Sequence, residues 1–65
     1  MEYTLKQWRA IRGLSQTELA ESIGKTQITV SNWETGKSDP RYRDMLKLRE
    51  ALALEPTDVI LMPGC

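Results

Sequence analysis

The segment between residues 15 and 30 constrains the fold more than any other part of this chain. It holds a small residue, a glycine and a branched residue, Ala20, Gly24 and Val30, at intervals of four and six positions. A small residue lets two helices approach closely, glycine permits a left-handed bend between them, and a branched residue packs into the contact. The spacing therefore predicts two short helices joined by a sharp turn, the arrangement called a helix-turn-helix.

The second helix of this pair has two chemically different faces. At about 100° per residue, one side carries Thr26, Thr29, Val30 and Trp33. The opposite side carries Gln27, Ile28, Ser31, Asn32 and Thr35. Amide, hydroxyl and short apolar groups complement the edges of base pairs in the major groove of DNA. We therefore expect the outer side of this helix to read double-stranded DNA while its inner side packs on the domain.

Charge distribution favours the same interpretation, although the formal net charge is zero. Residues 25–43 contain four basic and two acidic side chains, so the positive excess falls on the second helix and the loop after it. Phosphates of bound DNA would lie there. A solvated basic loop is the alternative that charge alone leaves open. The side chains expected to contact the DNA backbone are Lys25, Thr29, Ser31, Thr35, Lys37, Ser38, Arg41 and Arg43.

Composition excludes several other functions. A chain of 65 residues forms one domain, spanning 1–65, because it cannot bury two separate cores. It has no histidine and a single cysteine, Cys65, so it can build neither a zinc site nor an internal disulfide, and the thiol has no base to activate it. We therefore expect no enzymatic activity, metal, cofactor or small-molecule ligand. The absence of a membrane span or signal peptide predicts a soluble, cytoplasmic protein.

Helical periodicity and capping residues extend along the chain, with no stretch of strand periodicity. Leu5, Trp8 and Ile11 recur at helical spacing, and Ser15 with Glu18 has the pattern of a capping box. The residues expected to face inward from a fourth helix are Tyr42, Met45, Leu46 and Leu52. The predicted helices span about 4–12, 16–23, 27–35, 41–53 and 56–61. The sequence thus predicts an all-α domain of five helices.

Five strings along the chain resemble a known family. They are Gly13-Leu14-Ser15-Gln16, Glu18-Leu19-Ala20, Ile23-Gly24, Trp33-Glu34-x-Gly36-Lys37 and Pro40. In this order and spacing they resemble the Cro/cI-type (XRE) helix-turn-helix family of phage and bacterial repressors, over the region from Leu5 to about Ile60. The resemblance implies a compact, lambda-repressor-like domain of five helices that binds operator DNA, usually as a dimer, and regulates transcription.

The resemblance also implies roles for single positions. Gln16 matches the family glutamine that approaches phosphate and supports the recognition helix. The positions that match base-reading residues are Gln27, Ile28 and Asn32. Ile28 departs from the family pattern, because many members have a polar residue there. An isoleucine favours contact with a thymine methyl group over hydrogen bonding.

Two arginines are expected to form ion pairs. Arg9 and Glu34 resemble an internal ion pair of the family, which would tie the first helix to the third. Arg49 departs from the family pattern, since a small apolar residue is commoner at its position. We expect it to pair with a nearby acid such as Asp58.

The apolar run near the end of the sequence predicts a contact with a second subunit. It consists of Val59, Ile60, Leu61 and Met62. One side of a short helical turn can face its own core, but four consecutive apolar residues leave some exposed unless another chain covers them. We therefore expect a homodimer through this run. A frayed chain end is the alternative.

A protein-interaction module with the same fold, such as an antitoxin or the partner of a regulator, is the competing interpretation of the whole chain. Zero net charge and the apolar run are both compatible with it. The two interpretations differ in salt dependence, because only a protein that neutralises DNA phosphates releases condensed counterions on binding.

Overall fold

The computed structural model describes residues 1–62, which contain four helices and one pair of short strands. In chain order the elements are β1 (Glu2–Thr4), α1 (Leu5–Arg12), α2 (Gln16–Ser22), α3 (Gln27–Thr35), α4 (Tyr42–Ala51) and β2 (Val59–Leu61). None of the helices in this part of the chain has the length and apolar character that crossing a lipid bilayer requires. Cys65, the cysteine considered above, lies outside the described residues.

Side-chain caps begin the first three helices. The Ser15 hydroxyl accepts a hydrogen bond from the Glu18 backbone N–H, and the Glu18 carboxylate accepts one from the Ser15 backbone N–H, both at 3.0 Å. The hydroxyls of Thr4 and Thr26 accept in the same way from the N–H three residues later. These contacts satisfy N–H groups that lack partners in a first turn. Each of the three helices begins and ends within one residue of the position that the sequence predicts.

The turn between α2 and α3 has the geometry that its sequence predicts. Gly24 adopts a φ of 71°, a left-handed conformation that residues with a Cβ atom rarely adopt. Ala20 and Val30, on the two helices, are 1% and 0% exposed, so a small and a branched residue form the close contact. The Lys25 N–H donates to the Ala20 carbonyl oxygen at 2.9 Å and closes the turn. The predicted helix-turn-helix is confirmed.

A single apolar core joins the helices and β2. Its buried members are Leu5, Trp8, Leu19, Ala20, Ile23, Val30, Trp33, Leu48, Leu52 and Ile60. Both tryptophans face this core, as their spacing predicts. Ile11 does not, and it is 50% exposed. Each three-residue step along a helix falls short of a full turn by about 60°, so Ile11 lies well to the side of Leu5.

Two residues of α4 that the sequence assigned to the core are exposed. Tyr42 and Leu46 are 78% and 48% exposed, whereas Met45 is half-buried and Leu52 is buried. The inner stripe of the helix consists of Met45, Leu48 and Leu52, at spacings of three and four. Leu46 is about 100° away from this stripe, and Tyr42 lies in the first turn, before the helix reaches the core.

A strand forms at the end of the segment where a fifth helix over 56–61 was predicted, so the expectation of an all-α domain of five helices is not confirmed: the described residues form a mostly helical domain of four helices and a short strand pair. β2 pairs in parallel with β1, with Tyr3 opposite Ile60. The Val59 N–H donates to the Met1 carbonyl oxygen at 2.8 Å. Val59 and Ile60 are β-branched, which disfavours a helix and suits a strand that is buried on one side. Ile60 faces the core, and its neighbours face outward.

Arg49 binds backbone carbonyls rather than the predicted carboxylate. Its two terminal nitrogens donate to the carbonyl oxygens of Asp58 and Glu55, both at 2.7 Å. The Asp58 carboxylate instead accepts from the Glu55 backbone N–H at 2.9 Å and lies 3.2 Å from the amino group of Met1. Arg49 thus fastens the turn before β2 to the end of α4.

Candidate nucleic-acid interface

The outer face of α3 is accessible along its whole length. Gln27 and Thr35 are exposed, Ser31 and Asn32 are half-buried, and Ile28 is 68% exposed. The inner face of the same helix is packed in the core. α3 therefore combines a fixed side with an open side, as a helix that enters a DNA groove requires.

Four polar side chains form a continuous hydrogen-bonded chain from α1 to the first turn of α3. Arg9 Nε and Nη2 donate to the two carboxylate oxygens of Glu34 at 2.9 and 3.2 Å. Gln16 Nε2 donates to the same carboxylate at 3.1 Å. Gln27 Nε2 donates to Oε1 of Gln16. We name Arg9, Glu34, Gln16 and Gln27 the polar relay. It joins the predicted ion pair of Arg9 and Glu34 to Gln27, a predicted base-reading side chain.

The ion pair of the relay is largely removed from solvent. The side chains of Arg9 and Glu34 are 15% and 4% exposed. Arg9 Nη1 also donates to the Leu14 carbonyl oxygen at 3.0 Å, so the guanidinium is hydrogen-bonded on both sides. A buried pair with its hydrogen bonds satisfied constrains geometry strongly, because loss of one partner leaves a buried charge uncompensated. The relay therefore fixes the position of α3 relative to α1 and α2.

Two of the hydroxyl groups expected to contact phosphate already take part in hydrogen bonds within α3 or with the residue that caps it. The Thr35 hydroxyl donates to the Ser31 carbonyl oxygen at 3.0 Å. The Thr29 hydroxyl shares a hydrogen bond of 2.9 Å with the Thr26 hydroxyl. A phosphate oxygen needs a donor, so Thr35 contacts one only by exchanging its intrahelical bond. The exposed Lys37 and Ser38 lie just beyond the helix, in the loop before α4.

Basic side chains gather around Lys25, just before α3, and the first turns of α4. A cleft of about 620 Å³ is lined by Lys25, Arg41, Tyr42, Arg43, Asp44 and Lys47. We name Lys25, Arg41, Arg43 and Lys47 the basic cluster. All four of its residues are exposed. The structure thus brings three predicted phosphate contacts to one surface and adds Lys47.

Asp44 is the acidic residue among these bases. Its carboxylate lies 3.4 Å from Lys25 Nζ and accepts from the Arg41 backbone N–H at 3.2 Å. Partial burial by itself would raise the pKa of Asp44, but the Arg41 hydrogen bond and the charge of Lys25 outweigh it, and the pKa is lowered. Asp44 therefore stays ionised, and it holds Lys25 in the absence of DNA.

Lys47 and Tyr42 of the cleft were not among the predicted site residues. Lys47 follows Arg43 by four positions, a spacing that brings two side chains to the same face of a helix. This signal was present in the sequence. Tyr42 was assigned to the core, and its position beside the cleft depends on where the core ends along α4.

The run expected to form a dimer contact is partly used by its own chain. Ile60 is 8% exposed and belongs to the core, and Met62 packs against the core. Val59 and Leu61 are 43% and 41% exposed. Val59 and Leu61 are therefore the side chains of this run that are most accessible to a second subunit.

Comparisons with known proteins agree with this geometry. A family model described as helix-turn-helix matches residues 5–59. An uncharacterized HTH-type transcriptional regulator of Methanocaldococcus jannaschii is 30% identical over 61 residues, which cover 94% of this chain and 92% of the relative. No solved structure matches the chain.

Proposed function

Because the chain belongs to the XRE-type helix-turn-helix family, we propose that it is a sequence-specific transcriptional regulator that inserts α3 into the major groove of double-stranded DNA. In this proposal residues 1–65 act as one DNA-binding domain. The observation that supports it best is the open outer face of α3, whose first turn carries an amide and an apolar side chain next to each other.

Base reading is assigned to three side chains of α3. Gln27 can accept from N6 and donate to N7 of adenine, which is worth about 1–3 kcal/mol of discrimination. The exposed Ile28 would contact a thymine methyl group. Asn32, one turn later, is half-buried and reaches less far. Its contact is with a base edge or through a bridging water.

Backbone contacts are assigned to the residues around α3. The basic cluster would neutralise phosphates on one side, and Lys37 would do so from the loop. The hydroxyl and amide groups in this role are Gln16, Thr29, Ser31, Thr35 and Ser38. Such contacts fix the position of the protein on DNA and carry no sequence information of their own.

A homodimer is part of the proposal. Val59 and Leu61, exposed on β2, would pack against the same residues of a second copy, in a symmetric contact. Two recognition helices would then meet DNA about 34–36 Å apart, in half-sites separated by one helical turn. Sedimentation of the protein bound to a duplex measures the stoichiometry, and Leu61→Lys is expected to reduce it to one copy per duplex.

Selection of binding sites from a random duplex library tests the central claim. We expect an enriched motif whose binding weakens steeply as salt rises, because each neutralised phosphate contributes a slope of about −0.9 in log affinity against log salt. Gln27→Ala should relax the preference at one base pair, whereas Arg41→Ala should weaken all duplexes alike. Absence of any enriched motif, or binding that is insensitive to salt, would favour a protein-interaction module instead.

A further inference from the structure

The polar relay has a direction that follows from its chemistry. The Glu34 carboxylate accepts hydrogen bonds from two nitrogens of Arg9, and a carboxylate can act only as an acceptor. Gln16 must therefore turn its amide nitrogen toward Glu34 and its amide oxygen toward Gln27. Gln16 Nε2 lies 3.1 Å from Glu34 Oε1. Gln27 must then present its own nitrogen to that oxygen. A single carboxylate thus orients two amides in succession.

The direction of the relay decides which atom of Gln27 is available to DNA. Because its nitrogen binds Gln16, Gln27 has its oxygen and one remaining N–H for a base. Adenine presents an amino donor at N6 beside an acceptor at N7, and an oxygen next to an N–H complements this pair. If the relay ran in the opposite direction, an N–H would occupy the position of the oxygen. It would then complement the O6 acceptor of guanine and oppose the amino group of adenine.

We propose that Glu34 is a specificity-determining residue, which acts through Gln16 to hold the Gln27 amide in the orientation that selects adenine over guanine. Its side chain is only 4% exposed, so it acts as a positioning residue and does not touch DNA. This inference rests on the proposed function, in which Gln27 reads a base. It adds that the identity of the base depends on a buried charge two side chains away.

The test compares duplexes that carry adenine or guanine at one base pair. The pair is identified in the selected motif as the one where Gln27→Ala abolishes discrimination. The unaltered protein is expected to bind the adenine duplex about tenfold more tightly or better, the range that one bidentate contact provides. In Glu34→Gln, the new amide can donate to Gln16 as well as accept from it, so the acceptor-only constraint that sets the direction of the relay is lost. The ratio should fall to about one.

Two further variants separate orientation from stability. Arg9→Lys weakens the ion pair but keeps the carboxylate, so it should lower stability and retain the preference for adenine. Gln16→Met interrupts the relay at a half-buried position and leaves the core unchanged. Gln16→Met should lose the preference for adenine while the protein stays folded. The double variant, Gln16→Met with Glu34→Gln, should lose no more of this preference than either single variant. Circular dichroism shows which variants are folded. If Glu34→Gln does not fold, the base preference of Gln16→Met alone tests the inference.

The outcomes distinguish the inference from the proposed function. A protein that selects no motif, or whose binding ignores salt, contradicts the proposed function itself. A protein that prefers adenine through Gln27, and keeps this preference in both Glu34→Gln and Gln16→Met, overturns the inference alone. A preference for guanine in the unaltered protein would also overturn it. A merely structural role of Glu34 would lower affinity for both duplexes equally and leave their ratio unchanged.

Discussion

Trp8 donates its indole N–H to the carbonyl oxygen of Val59 at 2.9 Å, across 51 positions of the sequence. The same ring contacts Tyr3 of β1 edge-on, with ring centroids 5.1 Å apart, and lies 5.7 Å from the guanidinium carbon of Arg12. One side chain thus joins α1 to both strands.

Trp8→Phe is expected to destabilise the domain more than Trp33→Phe. Both tryptophans are 3% exposed, so both changes leave a similar cavity. Only Trp8→Phe also removes a donor from the Val59 carbonyl, at a net cost of about 1 kcal/mol. Urea unfolding of the two variants measures the difference. Equal losses of stability would mean that the hydrogen bond contributes nothing beyond packing.

Ala53→Gly is expected to raise stability. Ala53 follows α4 with a φ of 53°, a left-handed angle that an alanine adopts at a cost and that glycine adopts readily after a helix. Relief of about 1–2 kcal/mol of strain, less the extra backbone entropy that glycine loses on folding, should leave a gain of about 0.5–1 kcal/mol, measured as a higher midpoint of thermal unfolding. Ala10→Gly, within α1, is the control and should lower stability by a similar amount. A destabilised Ala53→Gly would contradict the assigned strain.

Acid should unfold the protein in part through Asp58. The hydrogen bond from the Glu55 backbone N–H, partly offset by burial, lowers the pKa of Asp58 from its ordinary value of 3.8. A carboxyl with a lowered folded pKa contributes stability above its unfolded pKa and loses it as pH falls through the folded pKa. Thermal unfolding followed below pH ~4 should show a drop in stability that Asp58→Asn reduces. An identical acid profile in the variant would exclude this role.

Asp44→Asn is expected to strengthen DNA binding and to make it more dependent on salt. An asparagine can still accept from the Arg41 backbone N–H but no longer neutralises Lys25. Lys25 then contacts its phosphate without first leaving a carboxylate, so the full slope of about 0.9 for that contact is realised. Asp39→Asn removes an exposed acid of the preceding loop without releasing a paired lysine, and it serves as the control. If both variants change the slope equally, general charge accounts for the effect.

The first three helices could be predicted because their signals are local. Ser15 and Glu18 cap α2 within four residues, and Gly24 shapes its turn without help from distant parts of the chain. The inner face of α3 also follows from helical periodicity alone. The position of the predicted base-reading side chains on an open helix face therefore emerged from the sequence.

The strand pair and the relay could not be predicted in the same way. β2 forms because Ile60 finds Tyr3, and nothing within the run 56–61 indicates a partner so distant in the sequence. The exposure of Tyr42 depends on where the core ends. The relay requires side chains from three helices to meet. The sequence therefore singled out its four residues, but the hydrogen bonds that link them could be seen only in the structure.

The lengths of α2 and α3 have a further consequence. With seven and nine residues, neither reaches the length of ~12 residues at which an isolated helix begins to persist in water. The proposed DNA-reading surface therefore exists only while the core is closed, and in this proposal recognition and folding share one equilibrium. A substitution far from DNA, such as one at Leu48, will reduce apparent affinity by lowering the population of binding-competent molecules, with the sequence preference of those molecules intact.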